Sequence, residues 1–274
     1  MNRYKTEKVV PYVILTILGI MFILPLLWVL FASFDPNAQQ SLKMPSSFTL
    51  TNFTSIFTDP ANLRSFGIGL FISVGQAVLV VMVAIMAAYP LSRYALKFKK
   101  PFMYTILFMT ALPITAVMVP VYQLFIYLNM QDSLIGTILF LTASGLPYAI
   151  WMMKNFMDSV PLELEESAWI DGASVWAGLR RVVAPLMIPG ICTVAIFTFS
   201  GSWGNFFVPY ILIQTPDKFP ASVTIFQFFG TFGMIEYGKL AAFSMVYTMP
   251  SVILYIFSQK FMSTGFSLGG ASKG

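Results

Sequence analysis

Long apolar windows recur along the chain and constrain its fold more than any other feature. Each is about as long as a helix that crosses the hydrocarbon core of a bilayer, which takes roughly 20 residues. Lipid offers no hydrogen-bonding partner, so the backbone of each window must satisfy itself as a helix. The sequence therefore predicts an all-α membrane protein with six transmembrane helices, at about 11–34, 66–91, 102–128, 134–156, 185–207 and 240–262.

The chain composition agrees with this class. Only 10% of the 274 residues are charged, against roughly 25% in a soluble domain. The first window is longer than the apolar region of a signal peptide, so we expect it to remain as a membrane anchor. We expect three parts: a tail, first span and outer loop (1–65), a membrane domain of five spans (66–262), and a short tail (263–274).

Basic residues are unevenly divided between the two sides of this arrangement. If both termini lie on the same side of the membrane, twelve of the 16 lysines and arginines fall on that side and four on the other. Cytoplasmic segments carry the excess of Lys and Arg, so both termini are expected in the cytoplasm. The four outer ones are Lys43, Arg64, Lys218 and Lys239. The basic residues form no stripe, so a nucleic-acid partner is not expected.

Residue usage excludes several chemistries. The chain has no histidine and a single cysteine, Cys192, which removes most zinc sites and histidine-based triads. No span holds a pair of carboxylates, so the spans lack the residues expected of an intramembrane active site.

A polar segment separates the fourth and fifth spans: "VPLELEESAWIDGASVWAGLRRVVAPLMIPG", residues 160–190. Pro161 suits the first turn of a helix, and the glutamates that follow lie where the helix dipole favours anions. Gly172 is a natural helix stop, and Ser174 can cap a second helix. The segment therefore predicts a helix, a glycine turn and a second helix at the inner membrane face.

This segment resembles the EAA loop of binding-protein-dependent ABC importer permeases. The family pattern is Glu-Ala-Ala, three residues, Gly, nine residues and Ile-x-Leu-Pro. The chain keeps that spacing in Glu166-Ser167-Ala168, Gly172 and Pro185. The letters that depart from the pattern are small or aliphatic. The loop is expected to occupy about 159–185.

Other stretches are similar to the MalG-like subunits of carbohydrate importers. They are "AAYPLSRYALKFKKP" (87–101), "MKNFMDSVPLELEESAWIDGAS" (153–174) and the tail "GFSLGGASKG" (265–274). One position departs: where that branch often has Trp-Asn-Glu/Asp-Phe, this chain has Trp203-Gly204-Asn205-Phe206. Any role that needs a carboxylate at that point is therefore in doubt.

The resemblance implies a type I ABC importer permease fold and a coupling role for the polar loop. The loop would dock on a cytoplasmic ATPase dimer and carry ATP-driven motion into the spans, with Glu166 facing a basic residue of the ATPase. A solvated surface loop is the alternative. The residues expected to form this coupling set are Glu165, Glu166, Ser167, Ala168, Asp171 and Gly172.

The resemblance also implies the partners. They are a second, homologous MalF-like permease, an extracytoplasmic solute-binding protein, a sugar or oligosaccharide substrate and membrane lipid. The location would be the bacterial plasma (inner) membrane.

No nucleotide site is expected in this chain. The stretch "GMIEYGKL" (233–240) has the spacing of a phosphate loop, but Leu240 stands where a Ser or Thr would reach magnesium. We therefore expect no cofactor and no catalysis here, and assign ATP and Mg²⁺ to the partner ATPase.

Two outer segments connect spans. The first, 35–65, is expected to be a short irregular cap, and the second, 208–239, is apolar but rich in proline. The resemblance implies that a loop in the second contacts the binding protein, although a re-entrant or packing segment is as good an explanation. The residues assigned to that contact are Thr215, Pro216, Asp217 and Lys218.

Polar and aromatic residues within spans are candidates for the substrate pathway. The candidates are Trp203, Asn205, Tyr148 and Gln123. Each could instead form interhelical hydrogen bonds or belong to an interfacial aromatic belt.

Two other functions stay open. The solute could be of another kind, such as glycerol phosphate, because that permease is related. A secondary carrier or channel is a different class, but the spans hold few ionisable groups to relay ions.

Overall fold

The computed structural model describes residues 3–41, 43–45, 47–229 and 235–270. Side chains are described for those between 11 and 259. Gly233 and Met234 of the stretch that resembles a phosphate loop lie outside the described residues, as does the end of the predicted tail. Every regular element in the described ranges is a helix.

Four helices are long and apolar enough to cross a membrane. They lie at the predicted first, second, fourth and sixth spans. Their bounds are α1 (Arg3–Ser33), α3 (Pro60–Arg93), α6 (Leu134–Asp158) and α13 (Tyr237–Gly270).

The predicted third span is not one continuous helix. It is broken into α4 (Lys99–Thr110) and α5 (Ile114–Tyr127), which meet at 94°. Pro113 stands at the break, where its ring fixes the backbone and removes a donor. The span predicted at about 102–128 is therefore a bent pair of helices, which makes one span only if the pair is counted together.

The predicted fifth span is broken as well. The helical segment Val175–Leu186 meets α10 (Ile188–Trp203) at 76°, with Pro189 in the first turn of α10. The first segment comprises α8 (Val175–Gly178), a π-helical turn (Leu179–Val183) and α9 (Ala184–Leu186). In the described residues the count of spans is four, or up to six if each bent pair is one span.

Helices extend into the first outer segment and into the predicted C-terminal tail. The first outer segment holds α2 (Thr51–Thr58) and the start of α3, so the expectation of an irregular cap was wrong. The predicted C-terminal tail begins at residue 263, but α13 continues to Gly270.

The second outer segment is a series of short helical pieces. They are α11 (Phe207–Leu212), a 3-10 turn (Pro216–Lys218), α12 (Ala221–Thr224) and a 3-10 turn (Ile225–Phe229).

The chain divides into two compact units: Met1–Arg64 with Val223–Met249, and Ser65–Ser222 with Pro250–Gly274. In the first unit, the amide of Asn52 donates to the carbonyls of Ser33 and Asp35, at 3.1 and 3.0 Å. Those carbonyls lie at the C-terminal end of α1, where a helix leaves acceptors unsatisfied. Asn52 therefore explains why α2 folds back against the end of α1.

The second unit contains the polar loop and most of the core. One apolar cluster joins α3, α4, α6, the loop and α10. Its fully buried members come from three of these elements, which fixes the loop to the helices beside it. They are Val80, Ala84, Ala88, Met153, Met157 and Val183.

Candidate functional site

The polar loop folds as a helix, a glycine turn and a second helix, as its sequence predicts. Its first helix is α7 (Leu162–Ile170). The amide of Gly172 donates to Trp169 O and that of Ala173 to Ala168 O, at 3.0 and 2.9 Å. This pair of bonds is the Schellman arrangement, which needs a left-handed residue after the helix. Gly172 supplies it with φ +87°.

The second half of the loop begins with a side-chain cap. The Oγ of Ser174 accepts the amide of Ala177 at 3.3 Å, as the sequence predicts. Gly178 lies close to the first helix, because an added Cβ would come within 3.2 Å of the Trp169 indole nitrogen. The two halves of the loop therefore pack directly on each other.

The structure divides the predicted coupling set by exposure. Glu166, Ser167, Asp171 and Gly172 are exposed, and Ala168 is half-buried. Glu165 is 0% exposed. The four exposed residues can face a partner, whereas Glu165 can act only through this chain.

Glu165 is held by residues at the end of α3. Its Oε2 accepts Arg93 Nε at 2.9 Å, and the Arg93 and Glu165 side chains are 6% and 0% exposed. The Tyr89 hydroxyl donates to its Oε1. Arg93 Nη2 also donates to the carbonyl of Val160, at 3.1 Å. The cluster Tyr89–Arg93–Glu165 therefore ties the loop to α3.

Sequence reasoning missed this cluster. Arg93 counted only as one of the inner basic residues, and Tyr89 was not singled out. A signal was present: residues four apart on a helix share a face, so Tyr89 and Arg93 form one polar edge in "AAYPLSR". Which carboxylate meets that edge is a tertiary fact, because Glu165 lies 72 residues from Arg93.

The loop also presents apolar side chains outward. Ile170 is 86% exposed and Trp176 64% exposed, and they flank the glycine turn. Large apolar groups beside acidic residues are typical of a surface that another protein covers.

The predicted contact loop of the second outer segment is tied down by Asp132, in the turn between α5 and α6. Asp132 Oδ1 accepts the amides of Gln214 and Thr215, at 2.9 and 3.0 Å. Asp132 Oδ2 accepts the Thr215 hydroxyl and Lys218 Nζ, both at 2.7 Å. Asp132 was not predicted; its partners lie more than 80 residues away.

Burial raises the pKa of Asp132, but hydrogen bonds from Lys218, Thr215 and Gln214 outweigh burial and hold the pKa well below its usual range. A depressed folded-state pKa gives stability that is present above the usual carboxyl range and is lost as pH falls through the folded value. The Asp132 clasp is therefore intact at neutral and mildly acidic pH.

Two of the pathway candidates, Trp203 and Asn205, make contacts inside the second unit. Trp203 is buried, stacks on Phe199 with ring centroids 6.0 Å apart, and lies 3.0 Å from the Cβ that Gly69 lacks. Asn205 accepts the amide of Val208 at 3.0 Å and so caps α11. Gln123 is exposed on α5.

Tyr148 lines a cavity of about 600 Å³ in the second unit. The cavity lies at the break between α4 and α5 and also includes the hydroxyl residues Thr110 and Ser144. The Tyr148 ring stacks on Trp151 with centroids 6.5 Å apart.

These features define a multi-pass helical membrane protein with a rigid two-helix loop between two of its spans. Residues 80–267 match the family described as "Binding-protein-dependent transport system inner membrane component". The match covers more than half of the chain, and the chain belongs to that family.

The chain is similar to several relatives over nearly its whole length. It is 30% identical to the trehalose transport system permease protein SugB of Mycobacterium tuberculosis, over 92% of this chain and 93% of that protein. It is 29% identical to the arabinooligosaccharides transport system permease protein AraQ of Halalkalibacterium halodurans, over 98% and 99%. A crystal structure of a bacterial ABC transporter involved in the import of alginate contains a chain with a TM-score of 0.84, 20% identity and coverage of 95% and 98%. That structure supports the fold.

Replacing Glu165 by glutamine tests the buried pair against its exposed neighbour. We expect Glu165→Gln to lower the free energy of unfolding by about 3 kcal/mol, because removing one partner leaves the other charge buried without compensation. Glu166→Gln is the matched control, since Glu166 is exposed, and should change stability by less than about 0.5 kcal/mol. Thermal unfolding of the purified chain in detergent measures both. Equal changes in stability for the two variants would show that the Arg93–Glu165 pair does not hold the loop.

Replacing Asp132 tests the outer clasp. We expect Asp132→Ala to speed hydrogen exchange of the Gln214 and Thr215 amides by about tenfold, because each loses a charged acceptor. Asp132→Asn keeps a carbonyl in that place and should have a smaller effect. Exchange of the α6 amides is the internal control. Unchanged exchange in Asp132→Ala would contradict the clasp.

Proposed function

We propose that this chain is the permease subunit of an ATP-driven, binding-protein-dependent importer for a sugar or oligosaccharide. Family membership carries this proposal. Two relatives that match nearly the whole chain are named for transport of trehalose and of arabinooligosaccharides. In this role the chain forms half of a pathway whose other half comes from a homologous permease.

The polar loop is proposed to be the surface on which a separate ATPase docks. A short helix that is stopped by a Schellman turn and packed against a second helix moves as one piece. Its exposed acidic residues, Glu166 and Asp171, set orientation toward a basic partner, and the apolar Ile170 and Trp176 supply contact area. ATP and Mg²⁺ are assigned to the partner, and this chain performs transport without catalysis.

The loop and both termini are proposed to be cytoplasmic, in the inner membrane of a bacterium. The excess of basic residues on that side supports this orientation. It places the Asp132 clasp on the outside, where it would hold Thr215–Lys218 rigid for the binding protein. No residue is buried in the apolar window of α1, as suits contact with lipid or the second permease.

Substitution of Gly172 tests the coupling role. The residue has φ +87° and open space where a side chain would lie, so conformation alone decides which residues fit. Valine is strongly strained there, whereas asparagine tolerates left-handed backbone. We expect an ATPase and a second permease to co-purify with the tagged wild-type chain from native membranes. Gly172→Val should lose the ATPase and keep the permease.

Gly172→Asn is the matched control and should retain both partners in the mass spectrum. If the wild-type chain purifies alone or as a homo-oligomer, the importer assignment fails and a secondary carrier becomes the better explanation. If both variants keep the ATPase, the loop is not the docking surface.

Uptake in the native host tests the substrate class. We expect deletion of this chain to abolish uptake of one saccharide in a labelled panel of trehalose and arabinooligosaccharide, because two relatives are named for these solutes. Uptake of labelled glycerol 3-phosphate should be unchanged by the deletion. Loss of glycerol 3-phosphate uptake alone would replace the sugar assignment with the alternative solute.

A further inference from the structure

We propose that the Arg93–Glu165 ion pair is the joint that passes movement of the coupling loop to α3. Movement driven by the ATPase would then reach α3 as well as α6 and α10, the helices that adjoin the loop in the chain. This inference rests on the proposed function, in which a partner ATPase moves the loop.

Both α7 and α3 contribute side chains to this joint. Glu165 lies in the first turn of α7, while Tyr89 and Arg93 lie in the last turn and a half of α3. Both carboxylate oxygens of Glu165 are occupied, one by Arg93 and one by Tyr89. Arg93 also reaches the carbonyl of Val160, just before α7. The contacts therefore fix the position and the angle of the loop relative to α3.

A second contact holds the end of α3 to the end of α6, just before the loop. The Ser92 hydroxyl donates to Asp158 Oδ1 at 2.6 Å, and Asp158 is the last residue of α6. Asp158 in turn pairs with Lys154. The end of α3 is thus held at both the start and the end of the connection between α6 and α7.

Apolar packing alone would hold α3 less firmly. The buried residues of α3 in the cluster are Val80, Ala84, Ala88, Tyr89 and Leu91, and two of these are alanines with short side chains. Apolar attraction is also non-directional, so by itself it does not select one alignment of α3 and the loop. The buried ion pair resists sliding, because separating its partners leaves a buried charge without compensation.

The arginine is suited to this role by shape as well as charge. It contacts Glu165 through Nε and Val160 through Nη2, and a lysine ammonium could not reproduce both in the same geometry. Arg93 faces its own chain, so its replacement leaves the exposed docking surface unchanged. Arg93 and Tyr89 are positioning residues that act through Glu165.

The test follows α3 and α6 separately in the assembled importer. The complex is purified from native membranes through a tag on this chain and reconstituted, with Cys192→Ala removing the native thiol. One reporter cysteine is then placed at Gly67 of α3 or at Ile135 of α6, both exposed in the structure. Labelling of this chain by a membrane-impermeant maleimide is measured without nucleotide and after trapping with ATP and vanadate.

With Arg93 in place, we expect trapping to change the labelling rate at both reporters. In Arg93→Gln, the change at Ile135→Cys should persist, and the change at Gly67→Cys should fall by about fivefold or more, the range of typical coupling between sites. Arg93→Lys should be intermediate. Lys97→Ala removes an exposed cation four residues further along and is the matched control, with responses equal to those of the unmutated chain.

Retention of the full Gly67→Cys response in Arg93→Gln would overturn the joint, as would a wild-type complex in which only Ile135→Cys responds. If no ATPase co-purifies, or neither reporter responds, the proposed function itself fails and the joint with it. If Arg93→Gln does not assemble, Tyr89→Phe and Arg93→Lys take its place. Each should then weaken the Gly67→Cys response in part, and an unchanged response in both contradicts the proposal.

Discussion

The backbone of a chain in lipid must satisfy its own hydrogen bonds, and most of this structure follows from that constraint. The break between α4 and α5 shows how the backbone satisfies its hydrogen bonds where a helix stops. The amides of Ala111 and Leu112 turn back to Phe108 and Met109, at 3.0 and 3.2 Å. The break also lines the cavity beside Tyr148. Irregular backbone at membrane depth is tolerated where protein or a cavity surrounds it, and Leu112 and Ile114 at the break line this cavity.

Local rules predicted what depends on a few neighbouring residues. The apolar windows located the long helices, and Gly172 and Ser174 located the turn and the cap of the polar loop. The breaks at Pro113 and Pro189 were missed, because proline within a membrane helix often leaves it continuous. Proline lies inside α3, α6 and α13 without a break. Whether the helix survives depends on what packs beside it, and the sequence alone does not give that packing.

Pairs that are distant in the sequence account for the rest of what was missed. Arg93 and Asp132 each find partners more than 70 residues away. The predicted coupling set gives Glu165 and Glu166 one role, yet successive helical residues point about 100° apart. One is buried against α3 and the other is exposed. Spacing can therefore locate a motif, but only the register of α7 on the core assigns its two glutamates to different tasks.

The buried pair is better understood as a device for orientation than for stability. A buried ion pair often contributes no more than well-packed apolar residues of similar volume, although losing one partner is costly. An apolar contact at the same place would hold α7 near α3 and leave its angle free. The ion pair with Arg93, the hydrogen bond from Tyr89 and the bond from Arg93 to the Val160 carbonyl together select one angle between α7 and α3. In the proposed coupling role the loop needs that selection, because it would transmit force in a fixed direction. Its exposed face would then be available to a partner while its buried face holds the loop to α3.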